Sequence, residues 1–247
     1  RLLARNFGLK SNADAMEMLA ETVSLQVLNR HRSDPFQIEA LLFGQAGFLG
    51  ETFSDAYPDR LAREFRFLQS KYSLKVLPPA AWNFGRIRPQ NFPTVRIAQL
   101  AALVCKSEHL FSDLLEANDI ASISTCLHAV PNVYWNDHVR FDTPVSGRLQ
   151  VHERAMGKAG IENMLINTVS IALFTYGRER SESTMDKAMR VLESCGPESN
   201  AIVENWKKCG MVIKNALDTQ AVLQLYNYYC TEKKCLHCQA GVYLLRN

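Results

Sequence analysis

The residues IENMLINTVSIALFTYG, Ile161 to Gly177, are apolar around most of a helical period, and no other pattern in the chain constrains its fold so tightly. Ile161, Met164, Leu165, Val169, Ala172, Leu173 and Tyr176 form a broad stripe, which Ile166, Ile171 and Phe174 extend around the helix. A helix apolar on so many sides has to be enclosed by other elements, so the spacing predicts a helix over about 158–176 at the centre of a core. Asn163, Asn167 and Ser170 interrupt the stripe at i, i+4 and i+7 and are expected to hydrogen-bond between helices.

Helix signals recur on both sides of this segment. Asp34-Pro35 pairs a cap with a first-turn proline and opens FQIEALLFGQAGFL, where Gly44 and Gly47 allow close backbone approach. Ser11 or Asn12 is placed to cap AMEMLAETV. Pro58 opens a helix with Leu61, Phe65, Leu68 and Tyr72 on one face, and Pro93 opens TVRIAQLAALVCKS. Shorter helices are expected over 109–117 and 119–129, and further ones near 183–195, 198–209 and 216–230. Residues 131–150 read as a loop or a short hairpin. Gly and Pro number only 12 and 9, too few for a turn-rich β architecture. The expectation is an all-α fold, an irregular multi-helix globular domain of roughly nine or ten helices. It is read as one domain over 1–247, with any subdivision falling near 131–150.

No apolar stretch approaches the roughly twenty residues needed to span a bilayer, so no membrane partner is expected. RLLARNFG reads as the middle of an element, so the chain is expected to be the C-terminal part of a longer one. The absence of a leader and an odd cysteine count of 7 predict reduced thiols and a cytoplasmic location.

Charge is unevenly spread. Arg60 to Arg96 carries eight Lys or Arg against one acid, Glu64, while the chain as a whole is only +3. Local cationic excess attracts anionic partners. On a helix, Arg60, Arg63 and Lys71 share the face opposite the apolar stripe, with Phe67 among them. The Pro-rich stretch that follows adds Arg86, Arg88 and Arg96, interleaved with Trp82, Phe84 and Phe92. Guanidinium groups bind phosphates and aromatics stack on bases, so these six cations are candidate anion contacts, with Phe67 and Trp82 as candidate stacking residues. The competing reading pairs the arginines with acids and buries the aromatics in the core.

YCTEKKCLHCQAG places Cys230, Cys235 and Cys238 as C-x4-C-x2-C. Three thiolates at this spacing suit a zinc staple, although a fourth ligand is not evident; Cys195, Cys209 or a distant His would have to supply it. Lys233 and Lys234 beside them favour lowered thiol pKa values. His152-Glu153 lacks the HExxH spacing of a zinc protease, and no GxSxG, Walker or dinucleotide glycine motif is present, so no catalytic residue is assigned. Glu39 within IEALL reads as a paired core carboxylate rather than a general acid.

The strings ARNFGLKSNADAMEMLA, FQIEALLFGQAGFL, RIRPQNFPTVRIAQLAAL, LINTVSIALFTYG and YCTEKKCLHCQAG together resemble the C-terminal part of a bacterial family of unknown function, number 2851. The resemblance implies a preceding portion with acidic and Glu-x-His strand motifs of the restriction-endonuclease kind. None of those motif positions occurs in this sequence, so any such catalytic centre is expected outside it. The leading expectation is therefore a non-catalytic helical domain that binds a polyanion such as nucleic acid for its own N-terminal domain. The alternative is a structural or protein-interaction module, zinc-stapled at its C-terminus.

Overall fold

The computed structural model describes residues 1–145 and 151–246. The chain divides into two compact units, Arg1–Met164 and Leu165–Asn247, a division that falls inside the 158–176 segment rather than near 131–150. The all-α expectation holds, with one two-stranded hairpin as the exception among the described residues.

The first unit begins with α1 (Leu2–Phe7), α2 (Leu9–Thr22) and α3 (Leu25–His31), followed by α4 (Pro35–Gln45), α5 (Ala56–Tyr72) and α6 (Pro93–Lys106). After α7 (Leu110–Glu116) and α8 (Ile120–Leu127) come β1 (His138–Arg140), β2 (Thr143–Pro144) and α9 (Lys158–Met164). Asp34 caps α4 by accepting from the N–H groups of Phe36 and Gln37, with Pro35 at the first turn, as its sequence predicts. The core is built on α4, buried continuously from Ile38 to Gln45, and α6, buried from Pro93 to Ala101. Gly44 lets α5 pack directly on α4, since a Cβ there would stand 2.0 Å from the Phe65 ring. Gly47 lies beyond the helix in the left-handed region at φ +83°, where a side chain is also excluded by the Leu77 carbonyl.

Asn12 does not cap α2. Two helical stretches join across a kink at Asn12 (φ −128°, ψ 17°), and its buried amide clamps a distant backbone instead of the turn that follows it. Its Nδ2 donates to the Asn83 carbonyl at 2.9 Å and its Oδ1 accepts from the Asn83 N–H at 2.8 Å. One side chain thereby satisfies two main-chain groups at the start of the arginine-bearing loop.

Within 131–150 the chain forms a 3₁₀ turn, Val133–Asn136, and then the hairpin, with His138 opposite Pro144 and Arg140 opposite Thr143; residues 146–150 lie outside the described residues. Trp135, fully buried, stacks on Phe43 of α4 with centroids 5.1 Å apart. Thr94 of α6 donates to the Val139 carbonyl and pins β1 to the core.

The second unit opens with a π-turn, Leu165–Val169, and continues through α10 (Ser170–Arg180), α11 (Glu182–Ser194), α12 (Ala201–Lys208), α13 (Ala216–Leu225) and α14 (Gln239–Arg246). The π-turn corrects the sequence expectation for this segment. Ile171 and Phe174 are 47% and 43% exposed, because the wider turn shifts the phase of every later side chain relative to a regular helix. Leu165, Ile166, Val169 and Leu173 are buried as expected. A smaller cluster of Val203, Ile213 and Val222, flanked by Ile202 and Trp206, ties α12 to α13.

Candidate anion-binding site

The first unit holds a cavity of about 780 Å³ walled by three stretches: the 3₁₀ turn Pro89–Asn91 with Arg88, the first turns of α6, and residues 152–163. Two of the six predicted anion contacts, Arg88 and Arg96, meet there. Arg154 and Lys158, which no sequence motif singles out, complete the set. Four cations therefore line the cavity against one carboxylate, Glu153.

Arg96 is the chemically unusual member. Its side chain is buried because Pro93 starts α6 at the protein interior, so the third residue after it faces inward. Among the described residues the guanidinium donates only to neutral amides, from Nη1 to Gln99 Oε1 at 3.0 Å and from Nη2 to Asn91 Oδ1. Its Nε has no hydrogen-bond partner among the described residues. Burial alone lowers its pKa to about 10. A cation removed from water without a counter-charge costs several kcal/mol, and a bound anion offsets that cost.

The other walls hold their groups in fixed positions. Gln99 Nε2 donates to the Arg154 carbonyl at 2.7 Å, and Arg154 Nε donates to the Trp135 carbonyl at 3.1 Å. Arg154 Nη1 lies 3.2 Å from His152 Nε2, which has to be the acceptor because a guanidinium has no lone pair to offer. Burial lowers the pKa of Arg154 too, with Asp137 opposing it. Arg88 and Lys158 are exposed at the rim, Lys158 at 4.0 Å from Glu162.

The remaining predicted residues lie elsewhere. Arg60, Arg63 and Lys71 are exposed along α5 as the helical spacing requires, but each has an intramolecular partner. Arg63 pairs with Asp59, Arg60 lies 5.1 Å from the Phe36 centroid, and Lys71 lies 5.7 Å from the Phe67 centroid. Phe67 is 61% exposed on this face. Arg86 is exposed in a left-handed turn at φ 57°. Trp82 is not available for stacking: its ring is buried and its Nε1–H donates to the Ala46 carbonyl at 2.7 Å. Phe84 and Phe92 face the guanidinium of Arg140, at 4.0 and 4.8 Å, so the aromatics of the loop grip the hairpin. Arg86, Arg88 and Arg96 form no ion pair among the described residues.

A second ionisable group is buried near another cavity, of about 580 Å³, lined by Glu39, Cys105, Lys106 and His128 among others. Glu39 Oε2 accepts from Tyr57 Oη at 2.9 Å and Trp135 Nε1 at 3.2 Å, joining α4, α5 and the 3₁₀ turn. Burial raises its pKa to about 7 despite these donors and the Asn132 backbone N–H. Its partners are neutral donors, and the carboxyl serves as a clamp between elements. Cys105 beside it is raised to about 11, chiefly by burial, and is a neutral thiol.

In the second unit, Cys230 ends a π-turn, Cys235 opens a 3₁₀ turn and Cys238 follows it. No group of three or more His, Cys, Asp or Glu side chains among the described residues is placed to hold a metal ion. Cys230 does not have the lowered pKa expected from its lysine neighbours. Desolvation and then the nearby Cys238 and Cys235 raise it. Cys209 shares an apolar pocket of about 340 Å³ with Cys230, Trp206 and Tyr226.

The first unit is thus a helical scaffold around a cavity lined by four cations and one carboxylate. The family described as a protein of unknown function, DUF2851, matches residues 1–201 of this chain, and the chain belongs to that family. The match contains the whole of the first unit and stops short of the terminal cysteine string. No curated protein and no solved structure is significantly similar to the chain.

Proposed function

We propose that the first unit binds a phosphate-bearing polyanion, with nucleic acid as the leading candidate, through the cavity lined by Arg88, Arg96, Arg154 and Lys158. The observation that carries this reading is Arg96, a buried guanidinium whose partners among the described residues are two neutral amides. Structural arginines buried without function are normally paired with a carboxylate, because the unpaired charge is otherwise too costly. Rim cations steer the ligand inward, and the exposed Arg60, Arg63 and Lys71 of α5 add to the attractive field without belonging to the cavity.

The test is a salt titration with single-stranded and duplex oligonucleotides on the full chain. Binding weakens steeply with salt, and the slope of log K against log salt drops by roughly 0.7 for each single-strand phosphate contact removed. Arg88→Ala combined with Arg96→Met flattens that slope. Arg60→Ala combined with Lys71→Ala lowers affinity at low salt more weakly. Absence of binding at low salt refutes the proposal.

A further inference from the structure

Resting on that anion-binding reading, we infer that the cavity takes a phosphate monoester, the terminal phosphate of its ligand, rather than a diester inside a strand. The first argument is depth. Arg88 and Lys158 are exposed at the rim, whereas Arg96 and Arg154 are only 9% and 2% exposed. A diester carries a substituent on each side and meets such a wall only if both continue through it. A monoester has one substituent and enters end-on. The volume of about 780 Å³ is that of a site for one small ligand, leaving room for the sugar that follows the phosphate.

Charge is the second argument. Of the four cations on the wall, Asp137 acts on Arg154 and Glu162 lies 4.0 Å from Lys158, so Arg88 and Arg96 are the two that pair with no acid among the described residues. A monoester brings about −1.5 to −2 at neutral pH, whereas a diester brings one negative charge. A guanidinium has five N–H donors, and Arg96 commits two to Asn91 and Gln99, so each terminal nitrogen keeps one for a ligand.

Third, the wall is set before the ligand arrives. Gln99 bridges the Arg96 guanidinium and the Arg154 carbonyl, and Arg154 is anchored on the Trp135 carbonyl, so little ordering is left for the binding step. Gly160 keeps the floor open. A Cβ there would stand 2.5 Å from Met156 Cγ and 3.8 Å from Arg96 Nη1.

Fluorescence anisotropy on the full chain tests this with four probes: a 5′-phosphorylated oligothymidylate, its 5′-hydroxyl counterpart, thymidine 5′-monophosphate and inorganic phosphate, the last two as competitors. The expected result is binding of the phosphorylated strand about tenfold or more tighter than the hydroxyl strand. That preference disappears in Arg96→Met and shrinks in Arg88→Ala, whose exposed site leaves folding intact. Competition by the monophosphate as effective as by the phosphorylated strand also supports the inference and makes a small phosphorylated molecule the source. Equal, salt-sensitive binding of both strands overturns end recognition while leaving the polyanion reading standing. Failure of all four probes to bind overturns both.

Discussion

Arg96 and Glu39 are the two residues at which the first unit departs from ordinary core chemistry, and the departures have opposite consequences. Arg96 keeps a buried charge with no paired acid among the described residues, so its contribution to folding is poor, and under the proposed reading a bound anion offsets that cost. Replacing it with Met removes the desolvation cost but leaves the Asn91 and Gln99 oxygens without a donor. The two effects offset, and chemical denaturation is expected to find Arg96→Met within about 2 kcal/mol of the native protein. Glu39 instead relieves its burial by taking up a proton. The folded protein holds that proton up to about pH 7, whereas an unfolded chain releases it near 4.5. Stability from this group is therefore fully present below about pH 4.5 and lost as pH rises through about 7, a change on the order of 3 kcal/mol. Glu39→Gln keeps an oxygen acceptor for Tyr57 and Trp135 while removing the titration. Subtracting its denaturation profile from that of the native chain across this range should give that slope, and a flat difference would mean Glu39 is ionised throughout.

At the level of elements, the loop between α5 and α6 is what turns local sequence into a site. Asn12 fixes its start by clamping Asn83, Trp82 roots it in the core, and Phe84 and Phe92 hold Arg140. Asn12→Ala removes two hydrogen bonds to the main chain of the exposed Asn83 and is expected to cost about 1–3 kcal/mol, measured by denaturation, with faster proteolytic cleavage between residues 83 and 92. Helices that open on a first-turn proline, such as α4 at Pro35 and α6 at Pro93, are legible in the sequence because that signal is local. The role of Asn12 is not: a helix-capping residue type and a long-range clamp look identical until the chain folds. The same holds for Arg154, which stands beside Glu153 in a stretch of balanced charge and joins Arg96 only through tertiary placement. The exposed Ile171 and Phe174 show the other limit, since a π-turn changes helical phase without a residue type that announces it. Arg88 and Arg96 stand out in the sequence because clustered charge with proline punctuation survives in one dimension, and both line the same cavity. Trp82 is buried and bonded to the Ala46 carbonyl rather than free to stack, a difference the sequence does not carry because an aromatic in a basic loop reads the same whether buried or exposed.

Across the whole molecule, the chain's modest charge of +3 conceals a concentrated cationic site in one unit and a thiol-bearing helical unit after it. A ligand that binds only the folded state stabilises it by mass action, at about a hundred times Kd by roughly 2.7 kcal/mol. The most direct test of the central claim is therefore thermal unfolding of the full chain and of Arg96→Met in inorganic phosphate and in chloride at matched ionic strength. The account predicts that phosphate raises the Tm of the native chain by several degrees and leaves the Tm of Arg96→Met unchanged. Equal shifts in both proteins, or none in the native chain, would contradict it.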